Sequence, residues 1–268
     1  MIEGVIGIGS FGTVFRARDV TLERPVALKV LRPGARGGAR LMLAEARAAA
    51  SLRHPNLCAI FAVDESLGSP IIAMEYLPGK PLSTRIAQGP LEPSRAAAVL
   101  RQVASGMAFA HSRGVVHGDL KPENVMVDDQ DNATILDFGL ARRRISTASP
   151  DETVVEGPAD VGENGGLFGT PSYLAPELVR GEAATEASDV FSCGLLAFEM
   201  LTGRKAFTGH TILEVLDRVR SVDHEALASE VPEPFSGLLR RMLNPEPALR
   251  DVSMEAVAEA LSPAVRYS

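Results

Sequence analysis

Hydrophobic positions run in short β-branched stretches over the first eighty or so residues and then shift to a helical period. Val5-Ile6, the glycine-rich Gly7-Ile8-Gly9-Ser10-Phe11-Gly12 and Thr13-Val14-Phe15-Arg16-Ala17-Arg18 predict strand, turn and strand. Pro25-Val26-Ala27-Leu28-Lys29-Val30-Leu31 and Ile71-Ile72-Ala73-Met74 predict two more strands. Between them, residues 38–52 are rich in Ala, Leu and Arg with apolar positions at helical spacing, which predicts a helix. From Leu82 onward the period stays helical. Residues 96–112 carry apolar positions at i, i+3 and i+4 and stop at Arg113-Gly114. Asn124-Val125-Met126-Val127 and Ala133-Thr134-Ile135-Leu136 predict a short hairpin, and further helices are predicted over 187–201, 212–219, 235–243 and 254–261. The change of composition between Pro78 and Pro81 separates the sheet-rich part from the helical part, with no internal repeat and no Pro/Ser-rich linker. Only a few residues precede the glycine turn, so the first strand is expected to be short, and the chain reads as a fragment or a truncated frame.

Composition narrows the function. At 268 residues and 46% apolar, the chain can bury a large core in one domain or two lobes. No apolar run reaches the ~18–20 residues that span a bilayer, and no signal-peptide pattern opens the chain. It therefore reads as soluble, with no membrane contact. Cys58 and Cys193 lie far apart in no metal-binding spacing and read as buried, reduced thiols of a cytoplasmic protein, or of the cytosolic part of a larger one. His54, His111, His210 and His224 form no ligand spacing, so no zinc site is expected. A net charge of -7 argues against a nucleic-acid partner. Of 27 basic residues only Lys29, Lys80, Lys121 and Lys205 are lysines.

The densest chemistry lies in His117-Gly118-Asp119-Leu120-Lys121-Pro122-Glu123-Asn124, followed thirteen residues after Asn124 by Asp137-Phe138-Gly139. Metal-assisted phosphoryl transfer needs a carboxylate for a hydroxyl proton, a second carboxylate and an amide for metal, and a cation for the moving phosphate. Asp119, Asp137, Asn124 and Lys121 supply these in that order. Each piece alone has a plain explanation. An Asp and an Asn in separate loops are common turn residues, Glu45 alone is a solvated helix glutamate, and Val14, Ala27, Met74 and Met126 alone are core. The glycine pattern also occurs in dinucleotide-binding folds, but there it opens a helix. Here a β-branched run follows, so a hairpin laid over phosphates is the reading.

The ordered set resembles the catalytic loop and metal-binding motif of eukaryotic-type (Hanks-type) serine/threonine protein kinases, and the arginine-for-lysine bias points to a bacterial member. The resemblance covers roughly residues 4–262. It implies an α+β, two-lobed fold within one kinase domain over 1–268: a small β-rich N-lobe with one main helix over about 1–77, a hinge at about 75–81, and an α-helical C-lobe over about 82–268. It also implies transfer of the ATP γ-phosphate to Ser/Thr hydroxyls of protein substrates, this chain included. In that match Asp119 accepts or orients the hydroxyl proton, Lys121 contacts the phosphate, and Asn124 and Asp137 hold Mg2+ (or Mn2+). Lys29, paired with Glu45, aims at the α- and β-phosphates. Ile6, Gly7, Gly9, Ser10, Phe11 and Gly12 cover the nucleotide. Met74 backs the adenine pocket, Glu75 and Leu77 offer backbone groups, and Val14, Ala27 and Met126 sandwich the ring.

Further matches follow. Gly169-Thr170-Pro171-Ser172-Tyr173-Leu174-Ala175-Pro176-Glu177 resembles the substrate-docking loop, Asp189 the aspartate that braces the catalytic loop, and Arg250 the partner of Glu177. His117 is expected to pack against Phe138, in a stack continued by Ala49 and Ile60. Small-molecule phosphotransferases of this fold generally lack the docking segment. Two departures stand out. Gly118 occupies the position of an arginine that usually binds an activating phosphate. Residues 154–168 hold no Ser, Thr or Tyr and include an acidic, glycine-rich stretch expected to be a mobile loop. Activity is therefore expected not to depend on phosphate in that segment, even if Ser146, Thr147, Ser149 or Thr153 is modified. The alternative is a pseudokinase scaffold that binds nucleotide without turnover.

Overall fold

The structure, a computed structural model, describes residues 1–9, 12–31, 50–65, 69–137 and 170–262. It has the α+β, two-lobed architecture implied by the resemblance. The N-terminal sheet has five strands in the order β1-β2-β3-β5-β4, antiparallel throughout: β1 (Ile2–Gly9), β2 (Gly12–Asp19), β3 (Arg24–Leu31), β4 (Ile60–Asp64) and β5 (Ile71–Glu75). The short first strand expected from the sequence is corrected. β1 runs for eight residues and pairs with β2 from Ile2 to Gly9, with two register shifts that absorb its glycines. The helix expected over 38–52 lies outside the described residues, as do Ser10 and Phe11.

Past β5, a second antiparallel sheet joins β6 (Lys80–Pro81), β7 (Val125–Val127) and β8 (Ala133–Ile135). The predicted hairpin is thus present, one residue shorter at its end. α1 (Leu82–Ile86) leads to α2 (Pro93–His111), which starts three residues before the predicted 96–112 because Pro93 sits at its first turn, where a missing N–H costs nothing. α2 buries Ala96, Val99, Leu100, Val103, Ala104, Met107 and Ala110, a stripe at helical spacing. After α3 (Pro176–Val179) comes α4 (Glu186–Thr202), opened by a capping box between Thr185 and Ser188. Every residue of α4 from 188 to 200 is buried. A helix buried all round is the centre of its lobe. α5 (Ile212–Arg220), α6 (His224–Ser229), α7 (Phe235–Met242) and α8 (Met254–Ala260) surround it, with α8 packed on α2 and α7 on α4.

The two cores differ in size. Phe191, Phe198, Leu195 and Leu196 of α4 join Leu100 and Met107 of α2 and Phe235 of α7 in one large cluster that reaches β7 and β8. Under the N-terminal sheet a separate cluster centres on Leu31 and Ile72, with Ile60 and Val63 packed against it.

A buried ion pair ties the end of the chain into this lobe. Arg250 Nη1 and Nη2 donate to Glu177 Oε1 and Oε2 at 2.5 and 2.8 Å, with side-chain exposures of 0% and 2%. The remaining N–H groups reach Asn244 O at 2.7 Å, Ala187 O at 3.0 Å and Pro245 O at 3.2 Å. All five guanidinium donors are therefore used, and removing the arginine strands a buried carboxylate. Arg250→Met is expected to lower the stability of the folded chain by about 3–5 kcal/mol, read from the urea midpoint at unchanged slope. A loss below about 1 kcal/mol, the range of exposed pairs, would contradict the anchor.

Candidate functional site

The β1–β2 hairpin carries Ile6, Gly7, Gly9, Gly12 and Val14, with Gly9 opposite Gly12 across the turn. Cross-strand pairing sets Val14 opposite Lys29, Ala27 opposite Met74 and Lys29 opposite Ile72. Directly opposed residues and those two apart share a face of a sheet. Val14, Ala27, Lys29 and Met74 thus lie on one face. At the end of β5, Glu75 N–H donates to Ala59 O at 2.9 Å. Its carbonyl accepts from the Cys58 thiol at 3.7 Å, and Leu77 lies in the irregular segment before the bend at Gly79. Burial pushes the Cys58 thiol up to about 12, so it is protonated at neutral pH.

The 117–124 segment is organised from below by one carboxylate. Asp189 on α4 is fully buried, and its Oδ1 accepts Gly118 N–H at 2.8 Å while its Oδ2 accepts His117 N–H at 2.8 Å. His111, the last residue of α2, adds its Nε2–H to Oδ2 at 2.9 Å. Gly118 is held at φ 74°. Left-handed backbone costs a residue with a Cβ about 1–2 kcal/mol and glycine nothing.

His117 relays this placement upward. Its Nδ1 accepts Asp119 N–H at 3.1 Å, so the proton resides on Nε2, which donates to Leu136 O at 2.9 Å. Its expected partner Phe138 lies outside the described residues, as does Ala49. Lys121 Nζ meets Asp119 Oδ2 at 2.6 Å, and Asn124 Nδ2 donates to Asp119 O at 2.8 Å and Oδ2 at 3.1 Å. Leu136 N–H donates to Asn124 O at 2.8 Å, which sets Asp137 beside the Asn124 turn, as the hairpin predicted.

Asp137 closes the cluster. Its Oδ2 lies 2.7 Å from Lys29 Nζ, a contact between β3 and the strand-end of the helical lobe. It adopts φ 53°, a conformation uncommon for a residue other than glycine that Asp tolerates better than most. The structure thus brings Lys29, Asp119, Lys121, Asn124 and Asp137 into one connected cluster. Glu45, expected to pair with Lys29, lies outside the described residues.

The donor set suits a hard cation. Asn124 points its amide nitrogen at Asp119, which turns its amide oxygen away, and Asp137 engages Lys29 through one oxygen only. One carboxylate and one amide oxygen on neighbouring backbone, completed by phosphate oxygens, are what magnesium takes at nucleotide sites. Among the described residues no group of three or more His, Cys, Asp or Glu gathers in a way that could hold a metal by itself.

Sequence reasoning passed over two groups. His111 reads as a helix-terminal histidine and nothing in its spacing points to Asp189, 78 residues on. Tyr173, in the 169–177 segment, donates its hydroxyl to buried Glu199 of α4, and Lys205 lies 5.6 Å from the Tyr173 ring. Burial, with the Glu199 carboxylate beside it, pushes the Tyr173 phenol far up, so it stays a donor. Burial also raises the Glu199 carboxyl, against the lowering effects of the Tyr173 bond and Lys205.

The family model described as the protein kinase domain matches residues 1–261. The chain is 35% identical over 276 residues to the serine/threonine-protein kinase PknL of Mycobacterium tuberculosis, covering 98% of this chain and 66% of that protein. It is 36% identical over 215 residues to the serine/threonine-protein kinase PrkC of Bacillus subtilis, covering 79% of this chain and 31% of that one. The chain thus spans 66% of the length of the first of these relatives and 31% of the second. Among solved structures, Rad53 1-466 in complex with AMP-PNP superposes with a TM-score of 0.75 at 25% identity, over 97% of this chain and 63% of that chain.

The Glu199 environment sets a pH dependence. The folded chain keeps the Glu199 proton above its ordinary value of 4.5, while the unfolded chain loses it there. Between those points the folded state binds more protons, so stability falls as pH rises. Glu199→Gln keeps an acceptor for Tyr173 and titrates nothing. Its stability relative to the unsubstituted chain is expected to improve between about pH 4 and about pH 7, measured by urea melts at both. A variant whose stability relative to the unsubstituted chain stays constant or worsens from about pH 4 to about pH 7 would contradict a raised carboxyl.

Proposed function

The chain belongs to the protein kinase domain family, and from that premise we propose that it is a serine/threonine protein kinase that transfers the γ-phosphate of ATP to protein hydroxyls. The observation that carries the reading is the connected cluster of Lys29, Asp119, Lys121, Asn124 and Asp137, whose carboxylates, amide and ammonium groups are the types that phosphoryl transfer uses. Asp119 would accept or orient the proton of the attacking hydroxyl. In the resting cluster Lys121 neutralises it at 2.6 Å, and the same ammonium would move to offset charge on the transferring phosphate. Lys29 would reach the α- and β-phosphates from β3, aided by Glu45. Asn124 and Asp137 would hold magnesium or manganese, which when bound neutralises phosphate charge. The hairpin from Ile6 to Val14, together with Ser10 and Phe11, would cover the nucleotide. Ala27, Met74 and Met126 would line the adenine pocket, with Glu75 O and Leu77 at the hinge facing the ring edge. Protein substrates, self-phosphorylation and a cytoplasmic location belong to the same proposal. Cys58 and Cys193 are free thiols, and no helix of the described residues is long and apolar enough to cross a membrane.

We further propose that activity does not require a phosphate on residues 138–169. Gly118 carries no guanidinium to bind one. The backbone that an arginine–phosphate contact would hold is already fixed, because both His117 and Gly118 N–H groups end on Asp189. The left-handed turn at Gly118 needs no compensating contact.

Labelled γ-phosphate transfer from magnesium-ATP to the chain and to a basic protein substrate tests both statements. Label on serine or threonine is expected, with Asp137→Asn and Lys29→Met reduced by about 10²-fold or more, the scale of a lost transition-state contact. No label, with magnesium-dependent ATP binding retained, would instead make the chain a nucleotide-binding scaffold. Changing Ser146, Thr147, Ser149 and Thr153 together to alanine is expected to leave transfer to the substrate within about twofold, well inside 1 kcal/mol. Loss of most activity would contradict the phosphate-independent reading.

A further inference from the structure

On the other side of β7 from the proposed nucleotide cleft lies a polar cavity of about 260 Å3, lined by Lys80, Thr84, Arg85, Gln88, Val127 and Asp129. Its floor is fixed by backbone. Lys80 of β6 pairs with Val127 and Pro81 with Met126, and successive side chains on a strand point to opposite faces. The Met126 and Val127 side chains therefore lie on opposite faces of β7, with Val127 in the large apolar core. Gly79, at φ 109°, brings the chain so near β7 that a Cβ would lie 2.4 Å from Val127 O. The wall is Thr84 and Arg85 of α1 and Gln88 in the turn that follows it.

The polar groups of this cavity are unevenly committed. Arg85 is held in place: Nη2 donates to Asp128 O at 2.6 Å, and Nη1 lies 3.4 Å from Asp131 Oδ1, itself gripped by Arg95 at 2.7 and 2.8 Å. The Asp128 carboxylate is turned into its own loop, accepting Gln130 N–H, Asn132 N–H and the Asn132 amide. The Lys80 ammonium, Thr84 hydroxyl and Gln88 amide have no hydrogen-bond or ion-pair partner among the described residues. Asp129 is the one carboxylate in the lining, and Arg85 lies beside Asp131, so Lys80 is the lining cation with no carboxylate within ion-pair distance among the described residues. Charge-bearing and neutral donors gathered around one space match a tetrahedral oxyanion better than a cation or an apolar group.

We infer that this cavity binds a phosphate group, with Lys80 and Arg85 supplying charge and Thr84 and Gln88 supplying neutral hydrogen bonds. Two sources share that chemistry: a phosphorylated serine side chain of a peptide, and inorganic phosphate. The inference stands independently of turnover at the cluster around Asp119.

The test uses the full chain saturated with a non-hydrolysable ATP analogue and magnesium, so that the nucleotide cleft is filled. Backbone amides of Lys80, Thr84 and Gln88 are followed by NMR during titration with inorganic phosphate, with a phosphoserine peptide, and with its unphosphorylated form, at matched ionic strength in chloride. Saturable shifts at these amides are expected with a phosphate-bearing probe alone, and Lys80→Met is expected to weaken binding about tenfold or more, as the loss of a charged hydrogen bond does. A response to the peptide alone assigns the source to a phosphorylated side chain; a response to both, or to inorganic phosphate alone, assigns a small-anion site. Gln88→Leu, at an exposed turn position, provides a second variant should Lys80→Met fold poorly. Shifts that chloride reproduces, or affinity unchanged in both variants, would overturn the site.

Discussion

The carboxylate of Asp189 is the constraint on which the rest of this site depends. A fully buried charge is tolerated only when its lone pairs are engaged, and Asp189 meets that condition with three N–H groups from two different parts of the chain. Those parts are the end of α2 and the 117–118 backbone. Burial on α4 therefore dictates where the segment bearing Asp119 begins. The order then passes outward by short links: His117 to Leu136, Leu136 to Asn124, Asn124 to Asp119, and Asp137 to Lys29.

The packing explains why the site is built this way round. The helical lobe offers one large core, with α4 buried on all sides, whereas the sheet above rests on a small cluster around Leu31 and Ile72. Local stability follows buried apolar contact. Groups whose mutual placement matters most, Asp119, Lys121 and Asn124, stand on the large core, and the sheet contributes Lys29 from its best-buried strand. β1, exposed along nearly its whole length, is the least buried strand of the sheet.

Much of this was legible from residue order. Strong helical periods located α2, α4, α5, α7 and α8 to within a few residues at their ends, and the Asn124 and Ala133 runs gave the hairpin that joins Asn124 to Asp137. Short elements escaped, because β6 and α3 are too brief for any period to register. The length of β1 escaped because Gly4, Gly7 and Gly9 lower strand propensity, while cross-strand pairing with β2 overrides it. Asp119, Lys121, Asn124 and Asp137 were visible as a motif because they cluster within nineteen residues. His111 and the Tyr173–Glu199 bond were not, since each depends on contacts between distant segments that carry no local pattern.

The most direct measurement of this account is amide hydrogen exchange at His117 and Gly118 in the chain carrying no phosphate on residues 138–169. If Asp189 alone holds the segment, both amides exchange only through global unfolding, as slowly as the buried amides of α4. If they exchange by local opening, and slow down only once that segment is phosphorylated, then the segment and not Asp189 sets the geometry, and the account fails.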